Sequence, residues 1–119
     1  MNKMGRLTTH VLDTTAGVPA AGMRIELFHG SGAAAAALAS VVTNGEGRTD
    51  APLLEGTALQ PGAYRLVFHV GEYFRARGNP DAGGFLEAVP VDFFVRDPRE
   101  RFHVPLLVSP WSYSTYRGS

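Results

Sequence analysis

His10, in the stretch RLTTHVLD, and His103, in RFHVPLLV, are the side chains best suited to move a proton near neutral pH. An unperturbed imidazole titrates near ~6.5 and can act as acid or base there. Both stretches alternate with a period of two. Leu7, Thr9 and Val11 share one face of the first, leaving Arg6, Thr8, His10 and Leu12 on the other. Phe102, Val104, Leu106 and Val108 share one face of the second, leaving Arg101, His103, Pro105 and Leu107. Each histidine thus falls opposite the expected core, in the company of a leucine. An outer face covered by another copy of the chain accounts for this. Scattered surface leucines account for it equally well. Arg48 follows the turn Asn44-Gly45-Glu46-Gly47, and its planar guanidinium suits two oxygens or a developing oxyanion. A plain surface arginine is the competing reading. The ordinary role of a lone strand histidine is a hydrogen-bonded surface imidazole, and His29 and His69 keep it. The closing SPWSYSTYRGS sets Tyr116, Arg117, Gly118 and Ser119 behind residues that favour strands. A segment tied into a sheet in this way is expected to be fixed rather than frayed.

Other chemistries lack their residues. Cys is absent, so disulfides and thiolate metal ligands are excluded. Two histidines without a spaced third ligand make a weak zinc pattern. No serine lies in G-x-S-x-G, and there is no P-loop or dinucleotide fingerprint. GNPDAGG is glycine-rich but lacks the Lys-Ser/Thr of a phosphate cradle. The formal net charge is zero, with no block of like charge, which removes the electrostatic warrant for nucleic-acid or membrane-surface binding. The longest apolar run, GAAAAALA, is far short of a membrane span. MNKMGRLTTH carries no apolar signal region, so the expectation is a cytoplasmic protein.

The elements that must position these residues read as strands. The 119 residues fit one domain, 1–119, with no internal repeat and no linker. The 14 Gly and 8 Pro fall between apolar runs, which is the punctuation of an all-β sandwich or barrel. Six strands are expected in GRLTTHVLD, GMRIELFHG, LASVVTN, AYRLVFHV, AVPVDFFVR and RFHVPLLVSP. WSYSTYRG makes a seventh and a short strand over Arg48–Ala51 an eighth. Core faces follow from alternation: Met23, Ile25 and Leu27; Tyr64, Leu66, Phe68 and Val70; Val89, Val91, Phe93 and Val95. Glu72 to Arg77 lacks alternation and reads as a short helix with Gly78 past its end. ALQPGAY and TNGEGRT read as turns. In GSGAAAAA the alanines favour helix and the glycines a loop, so the role of the Ala-rich 33–39 segment stays open.

Together LTTHVLDTTAGVPAAGMRIELF, TNGEGRT, GEYF and FHVPLLVSPWSYSTYRGS resemble the 5-hydroxyisourate hydrolases, the transthyretin-related enzymes of purine breakdown. The resemblance runs from Arg6 to Ser119, and YRGS is its most specific part, separating the hydrolases from the carrier transthyretins. It implies a transthyretin-like β-sandwich of two four-stranded sheets with one short helix. It implies a homotetramer with active sites in the channel at the dimer–dimer interface, and no metal or organic cofactor. It implies hydrolysis of a ring amide of 5-hydroxyisourate to 2-oxo-4-hydroxy-4-carboxy-5-ureidoimidazoline, in urate degradation. Carried over motif by motif, the catalytic residues are His10, Arg48, His103 and Ser119, and the substrate-binding residues are Tyr116, Arg117 and Gly118. One imidazole would activate water while the other orients it or protonates the leaving nitrogen, and which is the base stays open. Arg48 would meet the oxyanion or hold the substrate. Two other classes compete: a transthyretin-like carrier without catalysis, and a structural or adhesion domain, since fold does not fix function.

Overall fold

Alternation of apolar and polar residues decides how each strand lies, and the computed structural model follows it through the described residues, 4–30 and 37–118. Strand β1, Arg6–Asp13, buries Leu7, Thr9, Val11 and Asp13 and leaves the residues between them half-buried. Two-residue strand β2 follows at Val18–Pro19, then β3 at Arg24–His29 and β4 at Ala37–Val42. Strand β5 is Leu54–Glu55, trailed by a 3-10 turn at Gly56–Ala58. Strand β6 is Gly62–Phe68, helix α1 is Val70–Ala76, and strands β7, β8 and β9 are Val89–Val95, Arg101–Val108 and Tyr113–Thr115.

One sheet has the order β2-β1-β8-β9, with β5 also paired to β1; the other has the order β4-β3-β6-β7. Between them Leu7, Val11, Leu106 and Val108 meet Ile25, Leu27, Leu66, Phe68 and Val89, all fully buried. Burial of this apolar surface is the main force holding the layers together. Helix α1 closes one end by burying Val70, Tyr73 and Phe74. Tyr73 donates to the buried Asp13 carboxylate at 2.9 Å, so helix and first sheet are also joined by a hydrogen bond.

Three expectations are corrected. The first sheet has five strands rather than four, because β2 and β5 both add to β1. No strand forms over Arg48–Ala51: Arg48 makes a single bridge to His10, Thr49 Oγ1 turns back to the Ala51 carbonyl, and pairing resumes at Leu53 N–H to the Leu7 carbonyl. Pro52 has no N–H to continue a ladder through that segment. The helix starts at Val70 rather than Glu72, so Val70 is buried from α1 and not from the strand that ends at Phe68. Gly78, at φ +72, carries the chain past the helix as expected. Strand direction is something alternation does not specify, and β1 and β8 pair in parallel. The ambiguous alanines at 33–36 lie outside the described residues, and Ala37 and Ala39 belong to β4.

The parallel pair matters most for function. Its register runs from Arg6↔Arg101 through Thr8↔His103 and His10↔Pro105 to Asp13↔Val108. Because the strands run together and side chains alternate, Arg6, Thr8, His10, Arg101 and His103 all come to the outer face of one sheet.

Candidate active site

Thr8 and His103 are direct neighbours across the β1–β8 pair, and Thr8 Oγ1 lies 2.9 Å from His103 Nδ1. That contact fixes the ring and leaves Nε2 as its available nitrogen. A hydroxyl can donate or accept, so this hydrogen bond permits either neutral tautomer. His10 is held differently: its Nε2 lies 2.9 Å from the Glu46 carbonyl oxygen. A carbonyl only accepts, so this nitrogen carries a proton and donates it, and Nδ1 is the remaining nitrogen of the ring.

The carbonyl that holds His10 and the guanidinium of Arg48 come from one turn, and Asn44 organises it. The Asn44 side-chain oxygen accepts from the N–H groups of Glu46 at 2.9 Å and Arg48 at 3.2 Å. Its amide nitrogen donates to Asp50 Oδ1 at 3.0 Å. Such side-chain bonds to the following backbone are why Asn favours turns. The turn then lies down on β1. Val11 N–H donates to the Gly47 carbonyl at 2.8 Å, and His10 and Arg48 form a β-bridge. Gly47 is required twice over: its φ is +73, and a Cβ there would stand 2.4 Å from the Val11 carbonyl oxygen.

Arg48 and His103, with Arg6, Thr8 and Arg101, line an open cavity of about 340 Å³. Burial pushes the His103 imidazole below its ordinary value of 6.5, and the positive charge of Arg48 and the His10 ring add to the effect. At neutral pH His103 is therefore an uncharged base beside a cation. That is the arrangement needed to accept a proton from water and to steady an oxyanion. Among the described residues no three His, Cys, Asp or Glu side chains converge as metal ligands.

Gly118 is against His103: its N–H donates to the His103 carbonyl at 2.7 Å, and a Cβ on it would be 2.6 Å from the ring carbon Cδ2. Within the single chain, Tyr116 and Arg117 turn the other way. They line a groove between the sheet edges with Val91, Phe93, Phe102 and Val104. The Arg117 guanidinium sits 4.5 Å over the Phe102 ring and donates to the Arg101 carbonyl at 3.0 Å and Glu100 at 3.3 Å. The structure thus groups His10, Arg48, His103 and Gly118, and sets Tyr116 and Arg117 apart from them. Ser119 lies outside the described residues. His29 stacks on Tyr64 with centroids 4.3 Å apart, and His69 Nε2 lies 2.6 Å from Glu26, so both have structural partners. Thr8, Arg6, Arg101 and Asn44 were not singled out from sequence. Alternation already put Arg6 and Thr8 on the face of His10, and Arg101 on that of His103. Only the parallel register joins the two faces.

Residues 7–118 match the model of the HIUase/Transthyretin family. A protein of Rhizobium meliloti (strain 1021) named 5-hydroxyisourate hydrolase 2 is 53% identical, with 100% of each chain covered. The 5-hydroxyisourate hydrolase of Ralstonia nicotianae is 56% identical over 98% of this chain and 100% of its own. Among solved structures, Klebsiella pneumoniae 5-hydroxyisourate hydrolase superposes with a TM-score of 0.78 at 34% identity, covering 97% of this chain and 94% of that one. An (S)-allantoin synthase superposes with a TM-score of 0.91 at 45% identity; 99% of this chain is covered, but only 45% of that one. Sea bream transthyretin bound to thyroxine superposes with a TM-score of 0.84 at 23% identity, over 95% of this chain and 94% of its own, a likeness of fold.

Proposed function

The chain belongs to the HIUase/Transthyretin family, and from that membership we propose that it hydrolyses a ring amide of 5-hydroxyisourate to 2-oxo-4-hydroxy-4-carboxy-5-ureidoimidazoline, a step of urate degradation. The observation that carries the reading is the cavity in which the uncharged His103 stands beside Arg48, on the sheet face shared with His10.

His103 acts as general base. Its Nδ1 is engaged by Thr8, and Nε2 takes a proton from a water molecule as the water oxygen bonds to the ring carbonyl carbon. Arg48 holds the oxyanion of the tetrahedral intermediate. Collapse of that intermediate breaks the carbon–nitrogen bond. The departing nitrogen takes the proton from the His103 imidazolium, and the former carbonyl becomes a carboxylic acid that loses its remaining proton to solvent. His10, anchored through Nε2 to the Glu46 carbonyl, orients water or substrate through Nδ1. Gly118 keeps room beside the His103 ring. Tyr116, Arg117 and Ser119 complete the pocket in the assembled protein.

The assembly is a homotetramer with sites at the dimer–dimer interface, and the protein works as one domain in the cytoplasm. Leu12 and Leu107, half-buried on the histidine face, support a partner there, as do the exposed Trp111 and Tyr113 near the open β9 edge. No helix among the described residues is long and apolar enough to cross a membrane.

The test is kinetic. Protein added to freshly made 5-hydroxyisourate is expected to accelerate the loss of its ultraviolet absorbance. Decay at the buffer rate would overturn the hydrolase reading. Tight binding of a thyroxine-like ligand without hydrolysis would favour a carrier.

A further inference from the structure

Arg6 and Arg101 face each other across the β1–β8 pair, one rung position on the same face from Thr8 and His103. Two residues along a strand correspond to roughly 6.5 Å, and the arginine pair lines the same cavity as His103. Like charges directly opposite on neighbouring strands oppose sheet formation. A bound anion would relieve that repulsion.

The chain does not supply one among its described residues. Arg24, Arg65, Arg75, Arg99 and Arg117 each hold a carboxylate. Arg6, Arg48 and Arg101 hold none among the described residues, nor do Arg77 and Arg96, but only these three share one cavity. Glu55 is the other cross-strand neighbour of Arg6, through β5, yet no ion pair joins them, and no acidic side chain among the described residues lines the cavity.

We propose that Arg6 and Arg101 form an anion subsite beside His103 that recognises a carboxylate carried on a flat nitrogen heterocycle. Two guanidinium forks can take both carboxylate oxygens, which single ammonium groups cannot do with the same geometry. That the carboxylate is the one made in the reaction rests on the hydrolase reading. On that reading the attacked carbonyl carbon becomes the carboxylate next to His103, so Arg48 meets the charge as it develops and the arginine pair receives it once formed. Arg101 is exposed and Arg6 half-buried, so the attraction is screened by salt and the product can leave.

The experiment measures binding without turnover. Orotate, a planar pyrimidinedione carboxylate, and uracil, the same ring without the carboxylate, are titrated calorimetrically into the whole protein at low and high NaCl. Orotate is expected to bind at least ten times more tightly than uracil at low salt, with the advantage shrinking as salt rises. Arg6→Gln and Arg101→Gln are each expected to weaken orotate about fivefold or more and to leave uracil unchanged. Arg96→Gln, an exposed arginine away from the cavity, serves as the control, with folding checked by circular dichroism. Equal binding of orotate and uracil, or full orotate affinity in both folded cavity variants, would overturn the subsite. A protein that binds orotate through these arginines but does not accelerate decay of 5-hydroxyisourate would overturn the hydrolase reading alone.

Discussion

Thr8 and His103 are 95 residues apart in the chain and hydrogen-bonded at 2.9 Å through Oγ1 and Nδ1. The bond decides which ring nitrogen is free, so Thr8 positions the ring proposed as the base. Thr8→Val keeps the shape of the side chain and removes the hydroxyl. It is expected to lower kcat by about tenfold, less than the roughly 10²–10⁴-fold a general base contributes because the ring itself remains, while KM changes less. Thr8→Ser restores the bond and is expected to restore kcat. Equal loss in both variants would show that packing at this position matters and the hydroxyl does not.

The depressed imidazole of His103 predicts the pH profile. The base must be unprotonated, so kcat/KM is expected to rise with pH along a limb centred below 6.5 and to be flat at neutrality. Arg48 helps to hold that value down. Removing a neighbouring positive charge favours the protonated ring, so Arg48→Met moves the limb to higher pH. The same variant loses oxyanion support, with a fall in kcat on the order of 10²–10³. A limb that stays in place while the rate falls would separate the two roles and leave Arg48 with the oxyanion alone.

At Gly118 the constraint is steric. A methyl group would meet the His103 ring at 2.6 Å, closer than carbon atoms approach, with the backbone pinned by the bond to the His103 carbonyl. Gly118→Ala is expected to displace the ring and reduce kcat by about tenfold or more. Its thermal midpoint should stay near that of the parent, since the residue lies outside the core. Undiminished activity would mean that the segment yields and the ring does not.

Asn44 acts on two site residues at once. Its side chain shapes the turn that offers the Glu46 carbonyl to His10 and carries Arg48. Asn44→Ala is expected to raise KM and lower kcat together, by more than the loss of one exposed hydrogen bond would suggest. Hydrogen exchange at the Glu46 and Arg48 amides should speed up in the same variant. Protection retained at both amides would contradict the role.

Much of the fold was legible because alternation is a local property. Leu7, Thr9 and Val11, or Phe102, Val104 and Leu106, declare their buried face with no knowledge of a partner strand. Val70 was misassigned for the same reason: it continues the alternation of Tyr64, Leu66 and Phe68, but the chain turns into a helix at His69 and buries it from a different element. The two-residue strands β2 and β5 are too short for any period to appear. Within the site, His10, Arg48, His103 and Gly118 could be named from their motifs. Thr8 and Arg6 could not, because their importance lies in what stands opposite them, and register is a long-range property. The groove that takes Tyr116 and Arg117 likewise depends on two sheet edges meeting.

The parallel union of β1 with β8 has a kinetic consequence. Every rung joins residues about as distant in sequence as Thr8 and His103, so loop closure must precede any reward from the pairing. Half of the site is useless until the other half arrives, and neither strand assembles it locally. Turnover therefore serves as a clock for the late, long-range stage of folding. In a refolding experiment, recovery of activity should lag behind the local turns and the helix, and should come no earlier than completion of the sandwich and, on the proposed tetramer, its assembly.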